Sequence, residues 1–361
     1  MKEDSTKGKR GRSRGKEVAA GMDVGDRHSQ LCAMDGQGDV VWERKVPTTR
    51  SGLQKGFGKA KGLRIVLEAG TQSRWIAQYL KEAGQRVKVV DPRKLRRIFG
   101  SDQKSDVRDA RELCEEALWR WERTPEVKLR DKGMQENLAV LRTRNLLVEC
   151  RTKLVNAVRS VLKQEGIRVS QGTTTAFSQK ARAVVPEGLA SALHPLLDEI
   201  ESLSARIAFC DERIEELSQK DPAVRLLRSA YGVGPVTAAA FVWTIGDPSR
   251  FKRSRTVGAF LGLRPRRDQS GEREKQLAVT KAGDRFLRKL LVQCAHGILR
   301  GRGKESALRD FGLRIAERGG GRAKKRAVVA VARKLAVILH RMWVTGEAYR
   351  PYPKERAAQA A

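Results

Sequence analysis

Residues 18–46 read VAAGMDVGDRHSQLCAMDGQGDVVWERKV, and this stretch decides the fold of the first part of the chain. Its segments Val18–Val24, Gln30–Asp35 and Val40–Val46 are separated by short turns rich in Gly and Asp, which predicts three strands in an antiparallel meander. Further elements follow in the order of a helix after Ser51, a strand at Arg64–Glu68, a helix at Ser73–Ala83, a strand at Arg86–Val90, helical residues after Pro92 and a helix from Ser105 to about Trp121. The order βββαβαβα predicts an α/β unit in which helices flank a mixed sheet.

Four acidic residues occupy informative positions in this unit. Asp23 lies in the first strand and Glu68 ends the fourth, and functional groups converge at neighbouring strand ends in such sheets. Asp106 and Asp109 are three residues apart on a predicted helix, so they share one face. A carboxylate in an apolar strand needs a partner or a cation to offset its desolvation, and Mg²⁺ or Mn²⁺ held among the four acids would meet this need. Such a site is typical of phosphodiester cleavage.

Ordinary structural roles remain open for the same residues. Asp106 could cap its helix, Asp109 could pair with Arg108 or Arg111, and Asp23 could begin a turn.

The composition indicates a polyanionic partner. Lys and Arg total 74 against 42 Asp and Glu, which gives a net charge of +32 and a pI near 10.6, and nucleic acid is the counter-ion we expect. The 361 residues are enough for two or three domains with their own cores. Five cysteines without a C-x-x-C pair favour neither a disulfide framework nor a zinc site. The apolar run at Val233–Ile245 is too short to span a membrane, so we expect a cytoplasmic, nucleoid-associated protein of bacterial type.

Two long helices follow the α/β unit. Residues 135–165 contain no Pro or Gly. Their apolar residues recur every seven positions in two series, Val140, Leu147, Leu154, Val161 and Leu141, Val148, Val155, Leu162. A second helix has the spacing Ile200, Leu203, Ile207, Cys210, Ile214, Leu217. The two could form a hairpin within one chain or pair two chains, and a homodimer that assembles to a tetramer is the partner prediction. Gln171–Pro195 is predicted to be irregular or a short helix.

The last third of the chain contains two nucleic-acid signals. Gly232 and Gly234 lie between two apolar helical stretches of residues 222–245, in a helix-hairpin-helix-like pattern whose glycines let backbone N–H groups approach a phosphate. A tight turn between helices with no ligand is the alternative. Arg322–Trp343 predicts an amphipathic helix that exposes Lys324, Lys325, Arg326, Arg333 and Lys334.

Ser270 is the candidate nucleophile. It stands in a stretch predicted to be a flexible, glycine-flanked loop, surrounded by the cations Arg264, Arg266, Arg267, Lys281 and Arg285. Such cations could hold a scissile phosphate and lower the cost of a serine alkoxide that attacks it. Viewed alone, Ser270-Gly271 is also an ordinary turn dipeptide.

These motifs together carry a resemblance to a known family. The acids Asp23, Glu68, Asp106 and Asp109, the Leu-Gly-Leu-Arg-Pro block that leads to Ser270, the Thr-Lys-x-Gly-Asp segment from Thr280 and the late Ala332–Ala336 resemble the DEDD-type insertion-sequence transposases related to the Piv DNA invertase, the bridge-RNA-guided recombinases. The resemblance covers Val18 to about Trp343.

The resemblance implies an architecture and a mechanism. It implies a RuvC-like domain of RNase H fold at 18–128, a coiled-coil region at 129–221 and a mainly helical transposase domain at 222–345. Outside it, the composition of residues 1–17, with seven basic and no large apolar residues, predicts a disordered basic arm near phosphates or a solubilising tail, and 346–361 are expected to form a flexible tail. It implies that Ser270 attacks DNA to form a phosphoserine intermediate while the four acids hold the metal ion. A structured guide RNA would pair with donor and target DNA.

Two alternatives remain from the residues alone. The first is a RuvC-like junction resolvase or nuclease that uses metal-activated water, for which Ser270 would be dispensable. The second is a non-catalytic nucleic-acid-binding protein, for which the charge and the glycine turn are sufficient and Asp106 would be dispensable.

Overall fold

The computed structural model describes residues 16, 18–91, 105–270, 273–300 and 303–352, and for 267–270 and 273–276 it describes the backbone alone. Residues 1–129 and 130–361 form two compact units. The predicted helical residues after Pro92, nearly all of the basic arm at 1–17 and the end of the tail lie outside the described residues.

The first unit follows the predicted order of elements. Its described part consists of β1 Ala19–Asp23, β2 His28–Met34, β3 Val40–Pro47, α1 Arg50–Phe57, β4 Arg64–Glu68, α2 Ser73–Glu82, β5 Arg86–Val90 and α3 Asp106–Trp119, with a 3₁₀ turn at Trp121–Arg123. The mixed α/β prediction is confirmed, and the predicted ends of the strands and of α2 and α3 differ from the observed ones by no more than about two residues, the usual uncertainty of element boundaries.

The sheet has β1 at its centre. The strand order is β3-β2-β1-β4-β5, with β1, β2 and β3 antiparallel in sequence and β4 and β5 parallel to β1. Met22 of β1 is opposite Leu67 of β4, so the carboxyl ends of these two strands coincide at one edge of the sheet. The register is fixed because alternate residues of each strand are buried on opposite faces.

Each face of this sheet has its own core. On one face, Ala20 and Met22 pack with Leu53 of α1 and Ile76 of α2. On the other face, a smaller cluster joins the sheet to α3; it contains Ala19, Cys32, Met34, Val66, Val90, Ala110, Leu113, Cys114, Ala117 and Trp121. A helix thus covers each side, as a mixed sheet buried on both faces requires.

The second unit is mainly helical. Its described part consists of α4 Lys132–Gln164, α5 Phe177–Arg182, α6 Glu187–Lys220, α7 Pro222–Leu227, α8 Pro235–Ile245, 3₁₀ turns at Pro248–Arg250 and Ser254–Thr256, α9 Val257–Phe260, β6 Pro265–Ser270, β7 Arg273–Val279, α10 Arg285–Leu299, α11 Ala307–Ala316 and α12 Gly320–Thr345. Helix α8 is buried from Thr237 to Ile245 and forms the centre of the core. None of the described helices is long and apolar enough to cross a membrane.

Helices α4 and α6 form an antiparallel hairpin within one chain. Arg144 pairs with Asp211 at 2.8 Å and Arg151 donates to Ser204 Oγ at 3.0 Å, so rising numbers on α4 meet falling numbers on α6. The predicted seam of α6 is buried from Ile200 to Ile214. The structure therefore shows the intrachain pairing that the sequence left open. The base of the hairpin, through Leu138, Leu141 and Ile214, belongs to the same core as α8.

Two local predictions in this unit need correction. The short helix considered for Gln171–Pro195 is present as α5 Phe177–Arg182, but the prediction is wrong from residue 187 on. Residues 187–195 belong to α6, whose interior contains Pro195, because the buried side chains Leu193 and Leu197 on either side offset the hydrogen bond that proline cannot donate. The predicted flexible loop around Ser270 is instead a β-hairpin of β6 and β7, in which Ser270 is paired with Arg273. Its strands carry mostly polar and charged residues, so no apolar alternation marked them in the sequence.

Candidate functional site

Asp23 and Glu68 end adjacent parallel strands. Asp23 follows Met22 in β1 and Glu68 follows Leu67 in β4, and Met22 and Leu67 are register partners. Neighbouring strands lie about 4.8 Å apart, so the two acids are side by side at the sheet edge. By strand alternation Asp23 shares the face of Ala19 and Gly21, and Glu68 shares the face of Val66, which is the α3 face of the sheet.

Helix α3 brings the other two acids to the same edge. Gly21 lies under the helix so closely that an added Cβ would be 2.0 Å from the carbonyl oxygen of Ala110 and 2.3 Å from the amide nitrogen of Cys114. At the far end of the helix, Trp119 lies against Gly38, beyond the opposite edge of the sheet. The first turn of α3, with Asp106 exposed and Asp109 only 9% exposed, therefore points to the edge where Asp23 and Glu68 end.

The four acids share an edge but do not form an assembled metal site. Within the described part of the chain, no group of three or more His, Cys, Asp or Glu side chains is arranged to hold a metal ion. The backbone therefore brings the four predicted acids to one end of the sheet, and their joint role as metal ligands stays a prediction. Like charges on neighbouring elements repel, so such side chains spread unless a cation offsets their charge.

The ordinary roles considered for Asp106 and Asp109 are taken by other residues. Ser105 Oγ, not the Asp106 carboxylate, caps α3 by accepting from the Arg108 amide at 3.3 Å. The guanidinium of Arg108 pairs with Glu112 at 3.1 Å. Arg111 binds Glu43 of β3 through two bonds, at 2.5 and 2.8 Å, which anchors α3 to the sheet and holds the pKa of the Glu43 carboxyl below its usual value.

Gln72 joins the loops that follow the two strand acids. Its side-chain amide donates to the carbonyl of Asp26 at 3.0 Å and to that of Gly25 at 3.4 Å, in the turn after β1. Gln72 itself lies four residues after Glu68. It therefore fixes the Asp23 turn to the Glu68 loop. No sequence pattern predicts this role, because the donor and the acceptor of the bond are 46 positions apart.

In the second unit, two glycine loops interlock at the base of the β6–β7 hairpin. Gly262 has φ +68°, and an added Cβ would lie 2.2 Å from the Ala282 carbonyl oxygen; Gly283 has φ +78° and would meet the Phe260 oxygen at 2.0 Å. Arg288 of α10 clamps both loops, because its Nη1 donates to the carbonyls of Leu261 at 3.0 Å and of Ala282 at 2.8 Å. The two loops and Arg288 therefore form a rigid base for the β6–β7 hairpin.

The same base holds Lys281 in an unusual backbone conformation. Among the described residues Lys281 is the one non-glycine residue with positive φ, at 55°. Its amide donates to the Gly262 carbonyl at 3.1 Å. The contact with the Gly262 loop offsets the strain of this conformation, so the lysine is held in place and exposed.

The prediction that cations surround Ser270 is wrong for those that lie at the base of the hairpin. Strand β6 runs from Pro265 to Ser270, which is about 15 Å of extended chain, so Arg264 and Lys281 lie a strand length away from the serine. Arg285 begins α10 and Arg266 lies in β6, and both are exposed. The side chains of Arg267 and Ser270 lie outside the described residues.

The predicted glycine turn precedes α8. Gly232 has φ +78° and lies against Ile298, and Gly234 is the residue before the first turn of the helix, with no side chain capping it. Both glycines are exposed, between α7 and α8 as the sequence predicts. Helix α12 exposes the five predicted cations and buries the opposite face. Its His340 is a core histidine, 1% exposed.

Comparisons with known proteins agree with this arrangement. A model of DEDD transposases described as "Transposase" matches residues 20–167, and a model described as "Transposase IS116/IS110/IS902 family" matches residues 224–311. A probable family 20 transposase of Pseudomonas aeruginosa is 29% identical over 339 residues, covering 92% of this chain and 98% of the relative.

Two further relatives extend the comparison. The transposase for insertion sequence element IS1111A of Coxiella burnetii is 28% identical and covers 91% of this chain and 90% of its own. A pilin gene-inverting protein of Moraxella lacunata is 30% identical over 146 residues, 39% of this chain and 44% of the relative. With one family model in each half and relatives matched over nearly their whole length, the chain belongs to the IS110/IS116 family of insertion-sequence transposases, enzymes that cleave and rejoin DNA.

Proposed function

We propose that this transposase cuts DNA by serine attack, with Ser270 as nucleophile and Asp23, Glu68, Asp106 and Asp109 as the ligands of a divalent metal ion. The observation that carries the proposal is the convergence of the four acids on one sheet edge, because a cationic DNA-handling protein has no structural need for four carboxylates there. The arrangement of strands and helices in the first unit is the one we expect of a RuvC-like domain of RNase H fold.

The donor set fits a hard divalent cation. Mg²⁺ and Mn²⁺ prefer carboxylate oxygens, and the four acids supply only such oxygens. When bound, the ion would stabilise the charge that develops on the phosphate oxygens during cleavage. Asp109 is mostly buried and Asp106 is exposed on the first turn of the same helix, so one acid of the pair is fixed by packing and the other is free to adjust.

The serine chemistry balances without an external energy source. The Ser270 hydroxyl oxygen would form a bond to phosphorus as a P–O bond of the DNA strand breaks, and its proton would pass to the departing oxygen. One phosphodiester replaces another, so the strand can be rejoined by the reverse attack of a DNA hydroxyl. The position of Ser270 at the far end of the β6 strand supports this role, since the hairpin presents it away from its rigid base.

The cations at the base would then bind the DNA at a distance from the cut. Arg264, Arg266, Lys281 and Arg285 are exposed and lie along or below the hairpin, so they suit backbone phosphates next to the scissile one. The exposed turn of Gly232 and Gly234 suits another phosphate, in helix-hairpin-helix fashion. These contacts position the strand and carry no base recognition.

Site choice is assigned to a structured guide RNA. The resemblance of the motifs to the bridge-RNA-guided recombinases supports this part of the proposal, and the surplus of cations along the whole chain suits binding to the phosphates of either nucleic acid. The assembly we propose is a homodimer that forms a tetramer, with contact through the α4–α6 hairpin. Leu146 and Phe209 support it, because they lie at one level of the hairpin and are 60% and 71% exposed.

The test is a covalent-adduct assay. Purified protein with labelled donor DNA, guide RNA and Mg²⁺ should give a protein–DNA adduct that survives denaturation and is lost with Ser270→Ala. Asp109→Asn should abolish the adduct while DNA binding remains. Cleavage that persists in Ser270→Ala without any adduct would replace the proposal with a nuclease that uses activated water, and DNA binding with no cleavage by the wild type would favour a binding protein.

A further inference from the structure

A surface segment of the second unit concentrates positive charge without any acid. Residues 248–267 contain seven basic residues and no Asp or Glu. We define the cationic loop as residues 248–258. Within it Lys252, Arg253 and Arg255 are exposed. Arg250 has a different role, because its Nη1 donates to the Ile245 carbonyl at 2.8 Å and its guanidinium lies over the Phe260 ring.

The buried side chain of His340, on α12, holds the cationic loop through two hydrogen bonds. The ring nitrogen Nε2 lies 3.0 Å from the Pro248 carbonyl oxygen, and Nδ1 lies 3.0 Å from Ser254 Oγ. A carbonyl only accepts, so Nε2 donates to Pro248, and neutral histidine then accepts at Nδ1 from the Ser254 hydroxyl. Phe251 packs edge-on against both His340 and Phe260. The loop therefore holds its shape before any ligand binds.

Helix α12 adds a further cation beside the loop. The stem of Arg333 lies against Gly258, with its Cγ 2.9 Å from where a Cβ would be, and the residue is exposed. Residues 320–345 contain no Asp or Glu to neutralise it. Four exposed cations, Lys252, Arg253, Arg255 and Arg333, thus lie on two elements that are packed together, and we call the surface that they form the cationic face.

We infer that this face binds the phosphate backbone of a nucleic-acid duplex, at a place separate from the glycine turn and from the hairpin of Ser270. Fixed cations lose little side-chain and loop entropy when phosphates bind, so a preordered loop binds them more tightly than a mobile one. A single strand would also need aromatic rings on which its bases stack. Phe251 and Phe260, the aromatic residues here, are engaged with each other, which favours a duplex. The inference rests on DNA handling and not on the serine mechanism.

The test measures how binding depends on salt. The triple variant Lys252→Gln, Arg253→Gln, Arg255→Gln is compared with wild type and with the charge-matched control Lys55→Gln, Lys59→Gln, Lys61→Gln, whose lysines are exposed in the first unit. Loss of three phosphate contacts should lower the slope of log K against log salt by about 2.7 and weaken binding of a 30-bp duplex roughly 10²–10³-fold near 0.1 M salt. The control should change both far less. Equal effects of the two triples would overturn the inference.

A charge-neutral variant tests the fixed loop. His340→Ala should weaken duplex binding with little change in the salt slope, because the cations remain but must be ordered on binding; a thermal melt shows that the variant is folded. Binding is measured with duplex DNA, duplex RNA and single-stranded DNA of one length. A loss with either duplex supports the surface and identifies the nucleic acid it takes. An equal or larger loss with the single strand would refute the assignment to a duplex.

Discussion

Replacement of Gly21 by alanine should separate α3 from the sheet. The added methyl carbon would lie 2.0 Å from the Ala110 carbonyl oxygen, 2.3 Å from the Cys114 amide nitrogen and 2.8 Å from the Leu113 carbonyl carbon, and 3.4–4 Å is ordinary contact. All three are backbone atoms of one helix, so no side chain can turn aside to make room. The helix must move away from the sheet by about 1 Å or more, and each atom contact in the α3 core then loses about a quarter to a half of its dispersion energy.

The cost of this retreat is large for a unit of this size. Overpacking costs about 1–3 kcal/mol and more where backbone must move, so we expect a loss of about 3 kcal/mol in the free energy of unfolding. With a typical urea dependence of about 2 kcal/mol per molar, the unfolding midpoint of the first unit falls by about 1.5 M. Because Asp106 and Asp109 move with α3, DNA cleavage should fall by more than the folded fraction does.

Hydrogen exchange by mass spectrometry gives the local readout. Peptides from β1 and α3 should lose protection, while peptides from α8 and α10 should keep it. Gly70→Ala is the matched control, since nothing lies within 4 Å of its added methyl and its φ is not in the left-handed region. If Gly21→Ala unfolds within about 0.5 kcal/mol of wild type, the close approach of α3 to β1 is refuted.

Three further outcomes are expected. Glu43→Gln should lower the free energy of unfolding slightly at pH 7, because the Arg111 pair lowers the pKa of Glu43 on folding. The difference from wild type should shrink below about pH 4, where Glu43 becomes protonated and the contribution of the pair is lost. Urea midpoints measured from pH 3 to 7 check this, and a difference that grows toward low pH would contradict it. Arg288→Met should reduce adduct formation and stability, since it leaves the Leu261 and Ala282 carbonyls without their donor at a cost of about 1–3 kcal/mol. Arg288→Lys should retain much of both, and an equal loss in the two variants would argue against the clamp. Phe209→Glu should weaken self-association at least 10-fold in light scattering after size exclusion while the melting temperature stays the same, because Phe209 is 71% exposed, and an unchanged oligomer would exclude this surface.

The sequence predicted the elements whose residue pattern is local. Arg64–Glu68 and Arg86–Val90 were predicted to the residue, since each is a short strand whose apolar residues stand at alternate positions or in one run between turn residues. The seam of α6 followed from its three-and-four spacing. The edge shared by Asp23 and Glu68 followed from strand order alone.

What the sequence missed depends on contacts between distant residues. The β6–β7 hairpin is set by the interlocked loops of Gly262 and Gly283, not by apolar alternation within its strands. Gln72 and Arg288 act through carbonyl groups, and a carbonyl belongs to every residue, so no side-chain pattern identifies the partner. Ser270 is distant from the cations at the hairpin base because residues 265–270 form an extended strand, which no local residue pattern predicts.

The two units position their candidate functional residues by the same physical means. In the first, Gly21 lets α3 approach the sheet more closely than any Cβ allows, and in the second, Gly262 and Gly283 let two loops interlock. Close main-chain packing, reinforced by the Arg111–Glu43 pair in the first unit and by Arg288 in the second, therefore sets the positions of the acids and of the serine hairpin. Two kinds of substitution should then behave differently: removal of a charge, as in Asp109→Asn, should cost activity and leave the fold intact, whereas a methyl group at any of the three glycines should cost both.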